Sequence, residues 1–303
     1  MQIPLVTHPQ YSYAFPARHR FPMEKFGLLY QYLQSCGIAH ARNTFRPGQA
    51  NFELLALAHC TAYLQRFINN QQTESELRRM GLPWSESLLR RTLISPNGTL
   101  LTALLALQQG IACHLAGGTH HAHWDFASGF CILNDLAVTA LALLAQKKVQ
   151  RVLIFDCDVH QGDGTAAILA NTPAAFTCSI HCDKNFPVRK QRSDLDVALA
   201  KGTSDQDYLA AVQDTLEQAL NLSQPDLVLY DAGVDVYTFD PLGLLHVSEK
   251  AIRARDQHVL HTCQMRNIPV ATVIGGGYDD DRQALARRHA IVTEEAHRLW
   301  QDK

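Results

Sequence analysis

Three polar clusters follow runs of apolar residues, and their side chains are suited to metal chemistry. They are DCDVHQGDG (156–164), DAGVDVYTFDPLG (231–243) and GGGYDDD (275–281). If the chain stays extended, Asp156, Asp158 and His160 point to one side, because alternate side chains of a strand share a face. A carboxylate and an imidazole at this spacing can bind one metal ion, and Zn²⁺ accepts both ligand types. The alternative is a strand that ends in solvated polar residues.

The second cluster can supply a third oxygen ligand, Asp235. Three protein ligands that leave one position open are typical of a catalytic zinc site, whereas structural sites are closed. The alternative for Asp235 is a loop residue that caps a turn, and Asp240 before Pro241 is expected to be such a turn residue. A tight turn at Gly162–Gly164 is expected to return a further carboxylate, Asp163, to the same region.

Two adjacent histidines, His120 and His121, lie in GGTHHAHWDFASGF (117–130), a segment that has glycines and no periodicity. Two imidazoles beside a metal ion are suited to general acid–base catalysis at neutral pH. Each imidazole needs a carboxylate to orient it, and Asp156 and Asp163 are the candidates. The alternative is an exposed histidine pair without a function.

Tyr278 follows three glycines, which allow the backbone to turn sharply and to approach a site closely. A phenol at this position can donate a hydrogen bond to an oxygen that gains negative charge during a reaction. A glycine loop that ends in a packed tyrosine is the alternative.

The elements that must position these residues alternate regularly after residue 130. The predicted strands are 151–156, 175–181, 226–231 and 269–275, and the predicted helices are 22–37, 52–69, 74–80, 99–116, 131–146, 164–170, 205–220, 248–265 and 279–300. Nearly continuous apolar strands between helices favour a mainly parallel sheet covered on both faces. We therefore predict an α/β fold, a single three-layer α/β/α domain over residues 1–303. Ligands of such sheets bind beyond the carboxyl ends of the strands, where the three clusters lie.

The composition narrows the function classes. Of 303 residues, 47% are hydrophobic and 18% are charged, which is enough apolar material for a large core. With 27 basic and 29 acidic residues the net charge is −2, so direct nucleic acid binding is not expected. We expect no secretory signal and no membrane span. The 8 cysteines include no C-x-x-C pair, and we interpret them as reduced thiols of a cytoplasmic protein.

Taken together, the motifs resemble the zinc-dependent histone deacetylase family of the arginase–deacetylase fold, closest to its class IV-like and bacterial branch. The residues that carry the resemblance are GGTHHAHWDFASGFCILND (117–135), DCDVHQGDG (156–164), DAGVDVYTFDPLG (231–243) and GGGY (275–278). They occur in the family's order. The resemblance implies a hydrolase that removes acetyl or longer acyl groups from lysine side-chain amides of proteins.

The resemblance also implies a role for individual residues. Asp158, His160 and Asp235 would bind Zn²⁺. His120 and His121 would be the acid–base pair backed by Asp156 and Asp163, and Tyr278 would polarise the acyl carbonyl. The implied substrate channel consists of Gly129, Phe130, Phe186 and Leu242. A structural K⁺ is implied beside the zinc, with ligands from Asp156, Asp158, His160, Ser179 and Ile180.

Two departures from the family bear on the substrate. Many members carry an acid on the loop before the apolar helix, and the stretch here, RRTLISPNGTL (90–100), has none. Leu242 stands where polyamine-selective relatives place an acidic residue, which favours acyl-lysine over acetylpolyamines. A deacetylase of small-molecule amides and a non-catalytic metal-binding relative remain the alternatives. A binuclear manganese ureohydrolase is disfavoured, because the segment around Asp235 lacks a D-x-D pair.

Overall fold

An eight-stranded sheet, in which every strand pair is parallel, forms the centre of the computed structural model, which describes residues 2–301. The strands are β1 Leu5–Val6, β2 Thr44–Phe45, β3 Ile111–His114, β4 Val152–Asp156, β5 Ala175–Cys182, β6 Leu195–Leu199, β7 Leu227–Asp231 and β8 Val270–Val273. Their order across the sheet is β2-β1-β3-β8-β7-β4-β5-β6. The central strands β4 and β7 are buried at every residue, which explains their unbroken apolar sequences.

Helices cover both faces of this sheet. They are α1 Lys25–Ser35, α2 Phe52–Leu55, α3 Thr61–Ile68, α4 Glu74–Met80, α5 Glu86–Gln109, α6 Asp135–Ala145, α7 Asp163–Leu169, α8 Asp205–Ser223, α9 Glu249–Met265 and α10 Arg282–Gln301. Helix α6 packs against α5 and α7, whereas α10 packs against α1 and α9, and α9 against α8. The predicted α/β class and three-layer arrangement are therefore confirmed. Within residues 2–301, no helix is both long and apolar enough to cross a membrane.

The predicted helix 99–116 is wrong at both ends. Helix α5 begins at Glu86, where the Ser85 side chain caps it, and continues through Pro96 to Gln109. Gly110 then adopts a φ of 92°, which ends the helix, and the next four residues form the buried strand β3. A short apolar run such as IACH suits a buried strand and a helix equally. The stretch 90–100 thus lies inside α5 and is not a loop, and the loop before α5 is 81–85, which also has no acid.

The structure also differs from the prediction in other elements. The predicted helix 52–69 is two helices, α2 and α3, and the predicted helix 131–146 begins at Asp135, capped by the Asn134 side chain. Strands β1, β2 and β6 were not predicted. The first two contain only two residues each, and β6 is an edge strand of half-exposed and exposed residues. Such strands have no apolar run that a sequence pattern could reveal.

One buried arginine forms hydrogen bonds to both strand ends that carry the acidic clusters. Arg255 of α9 is fully buried, and its guanidinium donates to the carbonyl of Cys157 after β4 (3.3 Å). It also donates to the carbonyls of Ala232 (3.3 Å) and Gly233 (2.7 Å) after β7. Its charge is balanced by Asp256, whose carboxylate lies 2.8 Å away. The arginine therefore fixes the backbone that presents the clusters.

Arg255→Leu should destabilise the protein strongly, because it leaves the carboxylate of Asp256 buried without its cation. Loss of one partner of a buried ion pair costs about 3–5 kcal/mol of unfolding free energy. Urea unfolding monitored by fluorescence would measure this change. Arg266→Leu is the control, since its ion pair with Glu217 is partly exposed, and it should barely move the midpoint. Equal small losses in both variants would contradict the role assigned to Arg255.

Candidate active site

Three potential metal ligands converge at the carboxyl ends of β4 and β7. Nδ1 of His160 lies 3.0 Å from Oδ1 of Asp158 and 3.1 Å from Oδ2 of Asp235. One ligand atom from each residue lies within 4.8 Å of the others, and all three residues are buried. Backbone amides hold the carboxylates: Val159 donates to Asp235 (2.8 Å), and Gly276 donates to Asp158 (2.6 Å). The ligand orientations are therefore fixed by the two strand ends and the glycine loop.

The electrostatics of this group favour a bound cation. Burial and the neighbouring charge of Asp158 raise the pKa of Asp235 to about 6. Burial opposes the protonation of His160, but hydrogen bonds to Asp158 and Asp235 raise its pKa to about 10. The two carboxylates and the imidazole thus compete for protons in a buried space. They are also the ligand types that Zn²⁺ accepts. The residues present therefore fit the expected metal.

Two oriented imidazoles lie beside this group. Nδ1 of His120 is 2.7 Å from Oδ2 of Asp156, and Nδ1 of His121 is 2.6 Å from Oδ1 of Asp163. The two rings are 4.1 Å apart and line the same cavity. Asp156 and Asp163, the two candidate carboxylates, thus each contact Nδ1 of one imidazole.

The surroundings of the two imidazoles move their pKa values in opposite directions. For His120, burial lowers the pKa, but the charges of Asp156 and Asp158 outweigh burial and hold it well above its ordinary value. For His121, burial and the charge of His120 lower the pKa to about 4. These surroundings therefore favour the protonated form of His120 and the neutral form of His121. The neutral imidazole is the one that can accept a proton.

The loop that presents the two histidines is anchored by a residue that the sequence analysis missed. Asp135, at the start of α6, is fully buried and accepts hydrogen bonds from the backbone amides of Gly118 (3.1 Å) and Thr119 (2.7 Å). Thr119 precedes His120 directly. No spacing pattern links Asp135 to the pair, because its position in the first turn of a helix looks like ordinary helix chemistry.

Tyr278 is positioned by Asp240, which the sequence analysis interpreted as a turn residue. The Asp240 carboxylate is buried and accepts from the backbone amides of Tyr278 (2.7 Å) and Leu242 (2.8 Å). It therefore joins the glycine loop to the loop of the second cluster. Burial and the nearby charge of Asp235 raise the pKa of Tyr278, so its hydroxyl stays protonated and can donate a hydrogen bond.

A cavity of about 300 Å³ leads to these groups, and the four residues expected to form the channel line it. They are Gly129, Phe130, Phe186 and Leu242. Gly129 has a φ of 53°, and a Cβ there would lie 2.6 Å from the His121 ring. Only glycine therefore lets the channel wall approach His121 so closely.

The remaining expected residues, Ser179 and Ile180, lie on β5. Ser179 pairs in register with Asp156 of β4, on the neighbouring strand. Its hydroxyl lies 3.1 Å from Nδ1 of His181. Of the residues of the expected potassium site, Asp156, Ser179 and Ile180 thus lie on the strand pair β4–β5, and Asp158 and His160 follow the end of β4.

Several buried charged groups at the site were not predicted. Lys25 donates to the carbonyls of Gly275 and Gly277, each at 3.4 Å, and burial lowers its pKa to about 8. Asp231 is fully buried, and within residues 2–301 its carboxylate has no hydrogen-bond partner. Together with His120 and Asp156 it forms a second group whose ligand atoms lie within 4.8 Å of one another. Such groups meet only through tertiary packing.

Comparisons with known proteins agree with this geometry. The histone deacetylase domain matches residues 19–295. An uncharacterized protein of Picosynechococcus sp. is 44% identical over 99% of this chain and 100% of its own. Histone deacetylase 2 of Arabidopsis thaliana is 29% identical, over 86% of this chain and 70% of its own. Acetoin utilization protein AcuC of Staphylococcus xylosus is 30% identical, over 76% and 66%.

A solved structure shows the same fold. An HDAC homolog from Aquifex aeolicus superposes with a TM-score of 0.81, at 21% identity, over 98% of this chain and 85% of that one. The fold is that of the arginase–deacetylase type, as the resemblance implied. The chain belongs to the histone deacetylase domain family, and hence to a class of amide hydrolases.

Asp163 should stabilise the fold in a pH-dependent manner. Burial opposes its ionisation, but hydrogen bonds from His121 and His123 hold the pKa of Asp163 below its usual 3.8. A lowered folded-state pKa adds stability that is complete above the unfolded-state value and is lost as pH falls through the folded-state value. Asp163→Asn should therefore lower the unfolding free energy by about 1–3 kcal/mol at pH 7, and the difference should shrink below about pH 4.

Urea unfolding of both proteins between pH 7 and about pH 2.5 would measure this difference. Asp280→Asn is the control, because Asp280 is an exposed carboxylate on the surface. Its difference from the wild type should be small at every pH. A difference for Asp163→Asn that stays constant down to about pH 2.5 would refute the assigned cause.

Proposed function

We propose that this protein is a zinc-dependent amidohydrolase that removes acetyl or longer acyl groups from lysine side chains of proteins. The observation that carries the proposal is one cavity whose floor combines the three converging ligands with the oriented histidine pair and Tyr278. Membership of the histone deacetylase domain family supports the amide as the bond that is cleaved.

The metal ligands in this proposal are Asp158, His160 and Asp235. Bound zinc would act as a Lewis acid on the acyl carbonyl and lower the pKa of the attacking water. The proposal also includes a structural K⁺, held by side-chain and backbone oxygens of Asp156, Asp158, His160, Ser179 and Ile180.

Proton transfer is assigned to His121. Its Nδ1 proton is held by Asp163, so its Nε2 is free to take a proton from the attacking water and to deliver it to the leaving lysine amine. His120 remains charged beside it, backed by Asp156, and stabilises the negative charge that develops during attack. The asymmetric charge of the pair allows one imidazole to act as base while its neighbour acts as a fixed cation.

The channel supports lysine as the acylated group. Phe130 and Phe186 are expected to flank the four methylenes of a lysine side chain, whose burial favours binding. Leu242 lines the cavity and provides no charge for a second ammonium group, which disfavours acetylpolyamines.

The eight cysteines are free thiols, and six of them are buried, which suits a reducing compartment. We therefore place the enzyme in the cytoplasm.

Removal of one metal ligand should abolish both metal binding and activity. Asp158→Ala and His160→Ala each delete one of three protein ligands, so zinc content and turnover of an acetyl-lysine peptide should fall together. Metal analysis and a fluorogenic peptide assay, with and without chelator, would measure them. Asp183→Ala, a surface carboxylate, is the control. Full zinc content in both ligand variants would exclude these residues as ligands, and peptide turnover that survives chelation would exclude zinc dependence.

Tyr278→Phe should lower kcat while the metal stays bound. The hydroxyl matters most in the transition state, because the carbonyl oxygen gains charge only during attack. Loss of one such donor typically lowers kcat by about 10²–10³-fold. Single-turnover kinetics would measure the chemical step even if product release limits steady-state turnover. A rate within about threefold of the wild type would rule out this role.

Asp240→Asn tests whether Asp240 acts through Tyr278. The variant weakens the hydrogen bonds that hold Tyr278 and Leu242, so kcat should fall in the wild-type background. In the Tyr278→Phe background the same change should have little effect, because residues that act together are not additive. Equal losses in both backgrounds would mean that Asp240 acts independently of the phenol.

A further inference from the structure

We propose that Arg20 selects, at the channel mouth, acyl-lysine substrates that carry a carboxylate next to the acylated residue. This inference rests on the proposed deacylase function. It concerns the substrate class, which the metal ligands and the histidine pair do not determine. The carboxylate can come from an acidic residue beside the lysine in a protein, or from the α-carboxylate of a free acyl-lysine.

Arg20 lies at the mouth between residues that are anchored by hydrogen bonds and ring packing. The preceding His19 ring contacts the Gly81 carbonyl (Nε2 to O, 2.9 Å), and its Nδ1 accepts from the backbone amide of Phe21 (3.0 Å). The same imidazole packs edge-on against Phe130, at 5.9 Å between ring centres. Arg20 is exposed and lines the cavity between these anchored neighbours. These contacts anchor the backbone on either side of Arg20 beside the channel entrance.

The charge of Arg20 is not neutralised. Within residues 2–301 its guanidinium forms no hydrogen bond or ion pair. The other two long cations that line the cavity are committed: Lys25 to the glycine-loop carbonyls, and Arg91 to the Tyr11 carbonyl and aromatic rings. The carboxylates that line the cavity are Asp158 and Asp235, at its floor. The mouth therefore presents a positive charge with no counter-ion of its own.

Residues 187–190, which follow the cavity residue Phe186, include no acid. The loop after Phe186 carries the exposed residues Val188 and Arg189. Lys190 donates to the carbonyls of Asn185 and Pro187, which closes the loop on itself. The whole chain has a net charge of −2, so this basic surface is a local feature and does not follow from the overall charge.

A guanidinium at this place discriminates between substrates by charge. It can pair with a carboxylate through two parallel hydrogen bonds, and the field of the rim attracts anionic groups during encounter. It repels an ammonium group that lies near the acylated amine, as in a basic peptide tail or an acetylpolyamine. Because the side chain is exposed, the effect should be moderate and sensitive to salt.

The test compares three acetyl-lysine peptides of equal length, in which the lysine is flanked by Glu, Gln or Lys. For the wild type at low ionic strength, we expect kcat/KM to fall by about three- to tenfold from the Glu to the Gln peptide, and again to the Lys peptide. Arg20→Gln should reduce each ratio below about twofold, and Arg20→Glu should reverse the order. About 0.5 M salt should reduce the wild-type ratios.

Arg18→Gln is the matched control, because Arg18 is exposed on the same loop two residues away and does not line the cavity. It should keep the wild-type ratios. A parallel pair, acetyl-lysine and its α-amide, distinguishes the sources: a preference for the free acid identifies the α-carboxylate, and a preference seen only in peptides identifies the side chain.

Two outcomes would overturn the inference and leave the proposed function standing. They are equal turnover of all three peptides by the wild type, and Arg18→Gln changing the ratios as much as Arg20→Gln. If none of the acetyl-lysine substrates were turned over by the metal-loaded enzyme, the proposed function itself would fail, and the inference with it.

Discussion

The rest of the structure depends on one constraint: buried carboxylates repel one another at the carboxyl ends of the central strands. Asp156, Asp158, Asp231 and Asp235 are all buried at the ends of two adjacent strands, β4 and β7. Such a group is tolerated only if cations and oriented dipoles surround it. The surrounding amides and the imidazoles of His120 and His160 serve this need, and the proposed zinc ion would add a further positive charge. The same buried carboxylates therefore underlie the chemistry of the site and the stability of the carboxyl ends of β4 and β7.

Close backbone packing allows the loops to surround the acidic group. A Cβ on Gly276 would lie 2.1 Å from Oδ2 of Asp235, and one on Gly118 would lie 2.6 Å from Cα of Gly275. Side chains at these positions would push the glycine loop and the histidine loop away from the carboxylates. The glycines thus bring Tyr278 and His120 to the same small space from two distant parts of the chain.

The two histidines differ because their surroundings differ. His120 lies 2.7 Å from Asp156 and also near Asp158, so two negative charges stabilise its protonated form. The carboxylate that holds His121, Asp163, is shared with a second imidazole, His123, at 3.0 Å. His121 therefore receives less compensation for burial and is further disfavoured by the charge of its neighbour. Two adjacent positions in the sequence thus have pKa values moved in opposite directions.

The sequence by itself determined those features that depend on residues close together in the chain. Strands β4, β5, β7 and β8 were predicted because their apolar runs are buried on both faces. The expectation that Asp156, Asp158 and His160 share one face of an extended strand was wrong, because β4 ends at Asp156 and residues 158–160 bend. Asp158 and His160 still meet, but Asp156 turns to His120 instead. Tertiary structure alone decided which distant groups meet. Asp240 reaches Tyr278 across 38 residues and Lys25 reaches the glycine loop across about 250. Strand β3 was assigned to a helix because its identity depends on β1 and β8 beside it. The physical reason is that hydrogen bonds and charges act through space, whereas a sequence pattern reports only the side-chain periodicity of a local segment.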